Sequence, residues 1–179
     1  GKALTSDQET EGAHLIHVTT SGLVYLQKLG VAATDQPIAF EANGMKGQAV
    51  GADYTADSGV LVLHSAVRMA GVVHGRPAVL TAARAELDRG EKQVRLVSAR
   101  YVSNGRTGVA EAQADRAVVH LRNDGNVQSL DADGAVTLKQ ADESVTAPHG
   151  VVVLNADGNP ESAVLTGGVT FGADGPLRK

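Results

Sequence analysis

The stretch from Ala52 to Met69, ADYTADSGVLVLHSAVRM, recurs in variant form along nearly the whole chain, and this repeat constrains the fold more than any single motif. Its grammar is an extended segment closing on Tyr54, then a polar turn at Asp57, Ser58 and Gly59. Alternation through Leu61 and Leu63 follows, and a second short alternation at Val67 and Met69. Shifted back by 29, Tyr54 falls on Tyr25, Gly59 on Gly30, Val67 on Ile38 and Met69 on Phe40. Shifted forward by 33, Tyr54 falls on Leu87, Leu61 on Val94, Leu63 on Leu96 and Met69 on Val102, and a step of 34 carries Val102 to Val136. A last step of 33 lays Val118 on Val151, Leu121 on Leu154, Gly134 on Gly167, Val136 on Val169 and Leu138 on Phe171. A period of roughly 20 to 50 residues means units that cannot bury their apolar faces alone and must stack on their neighbours. Two strands and a turn per unit predict an all-β fold, one continuous stack of antiparallel strands over residues 13–172. A polar leader at 1–12 and a frayed tail at 173–179 flank it.

The apolar content suits a thin structure. Two Phe, three Tyr and no Trp leave the interior to Val, Leu and Ala, and 21 Gly supply tight turns. A net charge of −4 with scattered Lys and Arg sets nucleic acid aside as a partner, because a phosphate backbone needs a concentrated basic face. The absence of Cys removes disulfides, thiol catalysis and thiolate metal sites without fixing the compartment. No apolar run is long enough to cross a bilayer as a helix.

Local signals place the strands. His14 to Thr20 and Leu23 to Lys28 read as strands joined by a hairpin turn at Ser21 and Gly22. Pro37 sits just before a strand at Ile38 to Glu41, where its missing N–H is tolerable. Asn43-Gly44, Asn104-Gly105 (a type I′ signal) and Asn123 to Asn126 mark further turns. Ala78 to Leu87 is read as strand, with a helical turn in TAARAELDRGEK as the alternative.

No catalytic constellation stands out, and no enzyme activity, cofactor or metal is expected. His14 and His17 project to opposite faces of a strand, and His64, His74, His120 and His149 fall at different phases of the repeat with no evident carboxylate partner. Asp57, Asp88, Asp124 and Asp157 recur with the repeat, as turn residues that bond the backbone. The informative pattern is the alternation itself. Tyr25, Phe40, Tyr54, Leu61, Leu63, Val67, Met69, Leu80, Leu87, Val94, Leu96, Leu121, Val136, Leu138, Val151, Val153, Val169 and Phe171 form a long apolar lining. It either closes on itself as a dry core, the mark of a structural or adhesive scaffold, or forms a groove suited to an acyl chain.

The runs DQPIAFEANGMKGQAVGADYTADSGVLVLHSAVRM (Asp35 to Met69), LRNDGNVQSLDADGAVTL (Leu121 to Leu138) and VVLNADGNPESAVLTGGVTF (Val152 to Phe171) resemble the OstA-like domain of periplasmic lipopolysaccharide-transport proteins, the LptA and LptC group. The lead-in HLIHVTTSGLVYLQKLGVAATDQPIAFE inclines the resemblance toward the LptC type. The resemblance implies a twisted, V-shaped β-jellyroll of two sheets, open at both ends, whose interior carries the acyl chains of lipopolysaccharide or a related glycolipid. It further implies edge-strand pairing with other Lpt-type jellyrolls and an ABC transporter of the inner membrane as the energy source. The location implied is the periplasm, reached in the LptC type with an N-terminal membrane helix.

Overall fold

The computed structural model of the chain describes residues 17–42, 44–105 and 108–173. Thirteen strands follow one another: β1 His17–Thr20, β2 Val24–Leu26, β3 Val31–Ala42, β4 Met45–Thr55, β5 Val60–Val73, β6 Arg76–Ala82 and β7 Arg84–Asp88. They continue as β8 Gln93–Gly105, β9 Gly108–Leu121, β10 Val127–Gln140, β11 Glu143–Leu154, β12 Pro160–Thr166 and β13 Thr170–Ala173. One 3₁₀ turn at Gln27–Leu29 is the helical content of the described residues. All ladders are antiparallel and join the strands into a single sheet.

That sheet is folded along a crease. Each long strand bends near its middle, and its two halves pair in two separate ladders: β4 meets β3 at Pro37↔Val50 and at Thr34↔Ala52, with the register broken between. Alpha-left residues mark the bends, namely Gly51 (φ 77), Ala66 (φ 52), Ser98 (φ 52), Gly134 (φ 75) and Ala135 (φ 45). Elsewhere the chain breaks outright, at Ala83 between β6 and β7 and at residues 167–169 between β12 and β13. Limb I thus contains β2, β7, β12 and the halves of the long strands that pair with them. Limb II contains β1, β6, β13 and the other halves.

The buried residues sit in pairs astride the bends: Ala49 and Ala52, Leu63 and Val67, Ala82 and Ala85, Leu96 and Ala99, Ala114 and Ala117, Ala132 and Val136. A flat strand returns a side chain to the same face at even spacings, so the spacing of three in four of these six pairs shows that the bend turns both side chains inward. Residues of both limbs pack into common clusters, Leu63, Ala85 and Leu96 of limb I with Ile38, Phe40 and Val67 of limb II. Ten of the sixteen buried apolar residues among those described are alanine, so the crease is closed mostly by small side chains that let the two backbones approach.

Several sequence expectations change here. The strand alternative holds over Ala78 to Leu87, split at Ala83. Ser21-Gly22 is not a hairpin turn: β1 and β2 both pair with β3, at Thr20↔Ile38 and Val24↔Ala33, so this segment crosses the crease and does not reverse direction. Asn104 and Gly105 are not the turn but lie within β8, paired with Val109 and Gly108 of β9. Pro37 lies inside one bent strand, Val31–Ala42. The leader, His14 and Asn43 lie outside the described residues.

Candidate functional site: an apolar groove between two limbs

Cross-strand register defines the inner surface, because residues directly opposite one another share a face. In limb I one unbroken row runs Tyr25, Ala32, Tyr54, Leu61, Leu87, Val94, Val119, Leu130, Val152 and Ala163. In limb II its counterpart runs Val18, Phe40, Gly47, Met69, Leu80, Tyr101, Ala112, Leu138, Val145 and Phe171. With strands about 4.8 Å apart, each row is roughly 40 Å long. Between the rows and the crease, on the same face, lies the buried line Ala52, Leu63, Ala85, Leu96, Ala117, Ala132 and Gly150.

The rows are half-open. Tyr54, Leu61, Leu87, Val94, Val119, Leu130, Met69, Leu80, Tyr101, Leu138 and Val145 are all partly exposed, while Tyr25 and Phe171 at the row ends are 60% and 78% exposed. No charged or polar residue is buried among the described residues. Phe40 is the one large ring that packs down, over Gly47 of the neighbouring strand, where any Cβ would collide with it.

The residues singled out from sequence therefore separate. Phe40, Tyr54, Leu61, Met69, Leu80, Leu87, Val94 and Leu138 lie on the two rows, with Tyr25 and Phe171 at their ends. Leu63, Val67, Leu96 and Val136 are the floor of the crease. Leu121, two residues beyond Val119, shares its face near the rim. Val151 and Val153 are on the outer face: Val151 is 42% exposed and opposes Asp131, and Val153 opposes Ser129. Val169 sits in the link between β12 and β13, outside any ladder. Sequence reasoning missed Val18, Tyr101, Val119, Leu130, Val145 and Val152. The repeat offered the signal for two of them: Val119 and Val152 stand in the row with Tyr25, Tyr54 and Leu87, each 29 to 33 residues after the last.

The outer face carries the polar chemistry. Three histidines have carboxylate partners that the sequence did not reveal: His64 with Asp53 at 2.7 Å, His120 with Asp131 at 2.8 Å, and His149 with Asp133. Two of these pairs are eleven residues apart across a hairpin, a spacing readable once the turns are known. Arg100 grips Glu111 with Nε and Nη2 at 2.7 and 3.0 Å. That bidentate bond, with the guanidinium charge, holds the Glu111 carboxyl below its ordinary value. Asp88 and Asp124 accept backbone N–H bonds within their turns, and in the last turn Asn155 does the same for Asp157 and Asn159. A shallow hollow of about 300 Å³ lies at Thr19, Ala39, Glu41, Lys46, Gln48 and Arg68 near the β1 edge of limb II.

Comparison with known proteins bears on this architecture from two sides. Residues 3–73 match the family described as "Lipopolysaccharide-assembly, LptC-related". No curated protein matches. Among solved structures the chain is similar to LptH, the LptA-homologous periplasmic component of the conserved lipopolysaccharide transport device from Pseudomonas aeruginosa. Identity is 13% at a TM-score of 0.51, covering 68% of this chain and 84% of that one. The resemblance in the sequence is thus met at both levels: the LptC-related lipopolysaccharide-assembly family model matches residues 3–73, and the sheet has the β-jellyroll fold of the LptA-like proteins.

Proposed function

We propose that this chain is a periplasmic lipopolysaccharide-binding and transport domain that passes lipid along the groove between its limbs. The observation that carries this reading is the pair of apolar rows left half-open over a floor made mostly of alanine. A dry core would draw most of its leucines and valines below the surface, whereas here Leu61, Leu80, Leu87, Val94, Leu130 and Leu138 line a cleft, and Leu63, Val67, Leu96 and Val136 join the alanines at its base. Each methylene an acyl chain removes from water there contributes about 0.8 kcal/mol. The lining carries no catalytic group, so the role is binding and handover. The end strands, β2 and β12 of limb I and β1 and β13 of limb II, keep one side free of ladder partners in the described residues. They suit edge pairing with neighbouring jellyrolls of the same kind, in a path fed by an ABC transporter of the inner membrane.

Photo-crosslinking from Leu80, Val94 and Leu138 in cells making lipopolysaccharide tests the reading. Arg95 serves as a charged outward control and Val151 as an apolar one. Lipid adducts at the three inward sites alone are expected. Folded protein without adducts there, or with equal adducts at Val151, would remove the groove as the binding site.

A further inference from the structure

We infer that the mouth of the groove is clasped shut at one point by His74, so that lipid passes beneath it lengthwise and not sideways between the limbs. This rests on the proposed function for the nature of the cargo, but the clasp itself does not.

His74 and Gly75 form the two-residue turn between β5 and β6, with Val73 paired to Arg76, and both adopt positive φ (50 and 75). This turn is a tip of limb II, seven residues out from Val67 in the crease. His74 Nε2 donates at 2.9 Å to the carbonyl oxygen of Asp157, which lies in the turn between β11 and β12, a tip of limb I. The next residue is Gly158, where an added Cβ would come within 3.3 Å of that nitrogen, so the imidazole lies directly against the turn's backbone. The limbs are joined at the crease and meet again here, tip to tip, and because the β5/β6 and β11/β12 turns lie about five strands apart along the sheet, the contact crosses the mouth of the V obliquely.

Two further observations make the contact mechanical. The limb I rim is braced from turn to turn: Ala56 N–H to Gly30 O, Arg89 N–H to Gly59 O, Leu121 N–H to Lys92 O, Lys92 to the Asn123 side chain, and Arg122 to Leu154 O. The crease is a line of bends at which the ladders lose register and side chains of both limbs pack together. With the rim of limb I braced along its length, the width of the mouth is set by contacts between the tips together with the packing in the crease.

Spin labels at the exposed Val72 and Ala156 read the clasp without any lipid. The parent chain is expected to give one narrow distance distribution. His74→Asn, which suits the turn but is too short to reach Asp157, is expected to broaden it toward longer distances. Asp157→Ala is expected to leave it unchanged, because only the backbone carbonyl accepts. Identical distributions in the parent and His74→Asn would overturn the clasp. For the route, a His74→Cys, Asp157→Cys chain bridged by a short bis-maleimide is offered lipopolysaccharide micelles. Uptake equal to that of the unbridged chain supports lengthwise passage, and loss of uptake on bridging overturns it. If the parent takes up no lipopolysaccharide at all, the groove reading fails, while the spin-label distances still decide the clasp.

Discussion

Leu96 and Leu138 look equivalent in the sequence and do different things in the fold. Leu96 is 4% exposed in the crease, whereas Leu138 is partly exposed on the limb II row. Leu96→Ala is expected to cost on the order of 2 to 5 kcal/mol in denaturant unfolding, the range for buried leucine truncations. Leu138→Ala is expected to fall well short of that while cutting lipid adducts. Equal stability losses would mean that the row is core and not lining. Glu111 supplies a second residue-scale test. Its folded carboxyl sits below its ordinary value because Arg100 hydrogen-bonds it, so its contribution to stability is present above the ordinary carboxylate range. That contribution is lost as pH falls through the folded value. Glu111→Gln should flatten the acid side of a plot of stability against pH, by a small amount because the pair is exposed. Single side chains were the least legible level of the sequence. In Val151-Val152-Val153-Leu154 period-2 alternation is silent, and the face is set by Gly150 and by the partner Ala132, neither of which announces itself as an inner position.

At the scale of the strand, the bend is the decisive feature. Tyr54, Leu61 and Leu87 lay on a true row because limb I keeps the repeat in phase. Past the crease the phase slips: Leu63 and Val67 are four apart, Leu96 and Ala99 three. The position matching Met69 is therefore Tyr101, on the inner row, and not the outward Val102 that a fixed step selects. A bend of variable length cannot be read from hydrophobicity, because alanines flank it. The bends also store strain, since an L-residue in the left-handed region costs roughly 1 to 2 kcal/mol. Ala66→Gly and Ala135→Gly relieve it at φ 52 and 45, offset in part by the entropy of a glycine in the unfolded chain. A net gain of up to about 1 kcal/mol in chemical denaturation is expected. A clear loss would show that the methyl group matters more than the backbone angle.

For the molecule as a whole, the repeat, the all-strand content and the continuous stack were legible, because stacking units leave a period that survives substitution. The folding of one sheet into two limbs was legible through the family resemblance and not through the repeat, since each unit carries its bend internally and the period is the same whether the sheet is flat or creased. The same architecture makes the groove a weak point: many large side chains remain half-exposed, and what is buried is mostly alanine. Lipid that binds the folded chain alone must therefore stabilise it, by about 2.7 kcal/mol at a hundredfold excess over Kd. A rise in Tm with added lipopolysaccharide is expected, and its disappearance when Leu80 and Leu138 are both made Asp would tie the rise to the rows. The alanine floor has one more consequence. Each repeat adds two strands, hence about 10 Å of path, and leaves the cross-section as it was. Gain or loss of a unit during descent would therefore alter the length of the groove without altering its calibre, so that the two can evolve independently of one another.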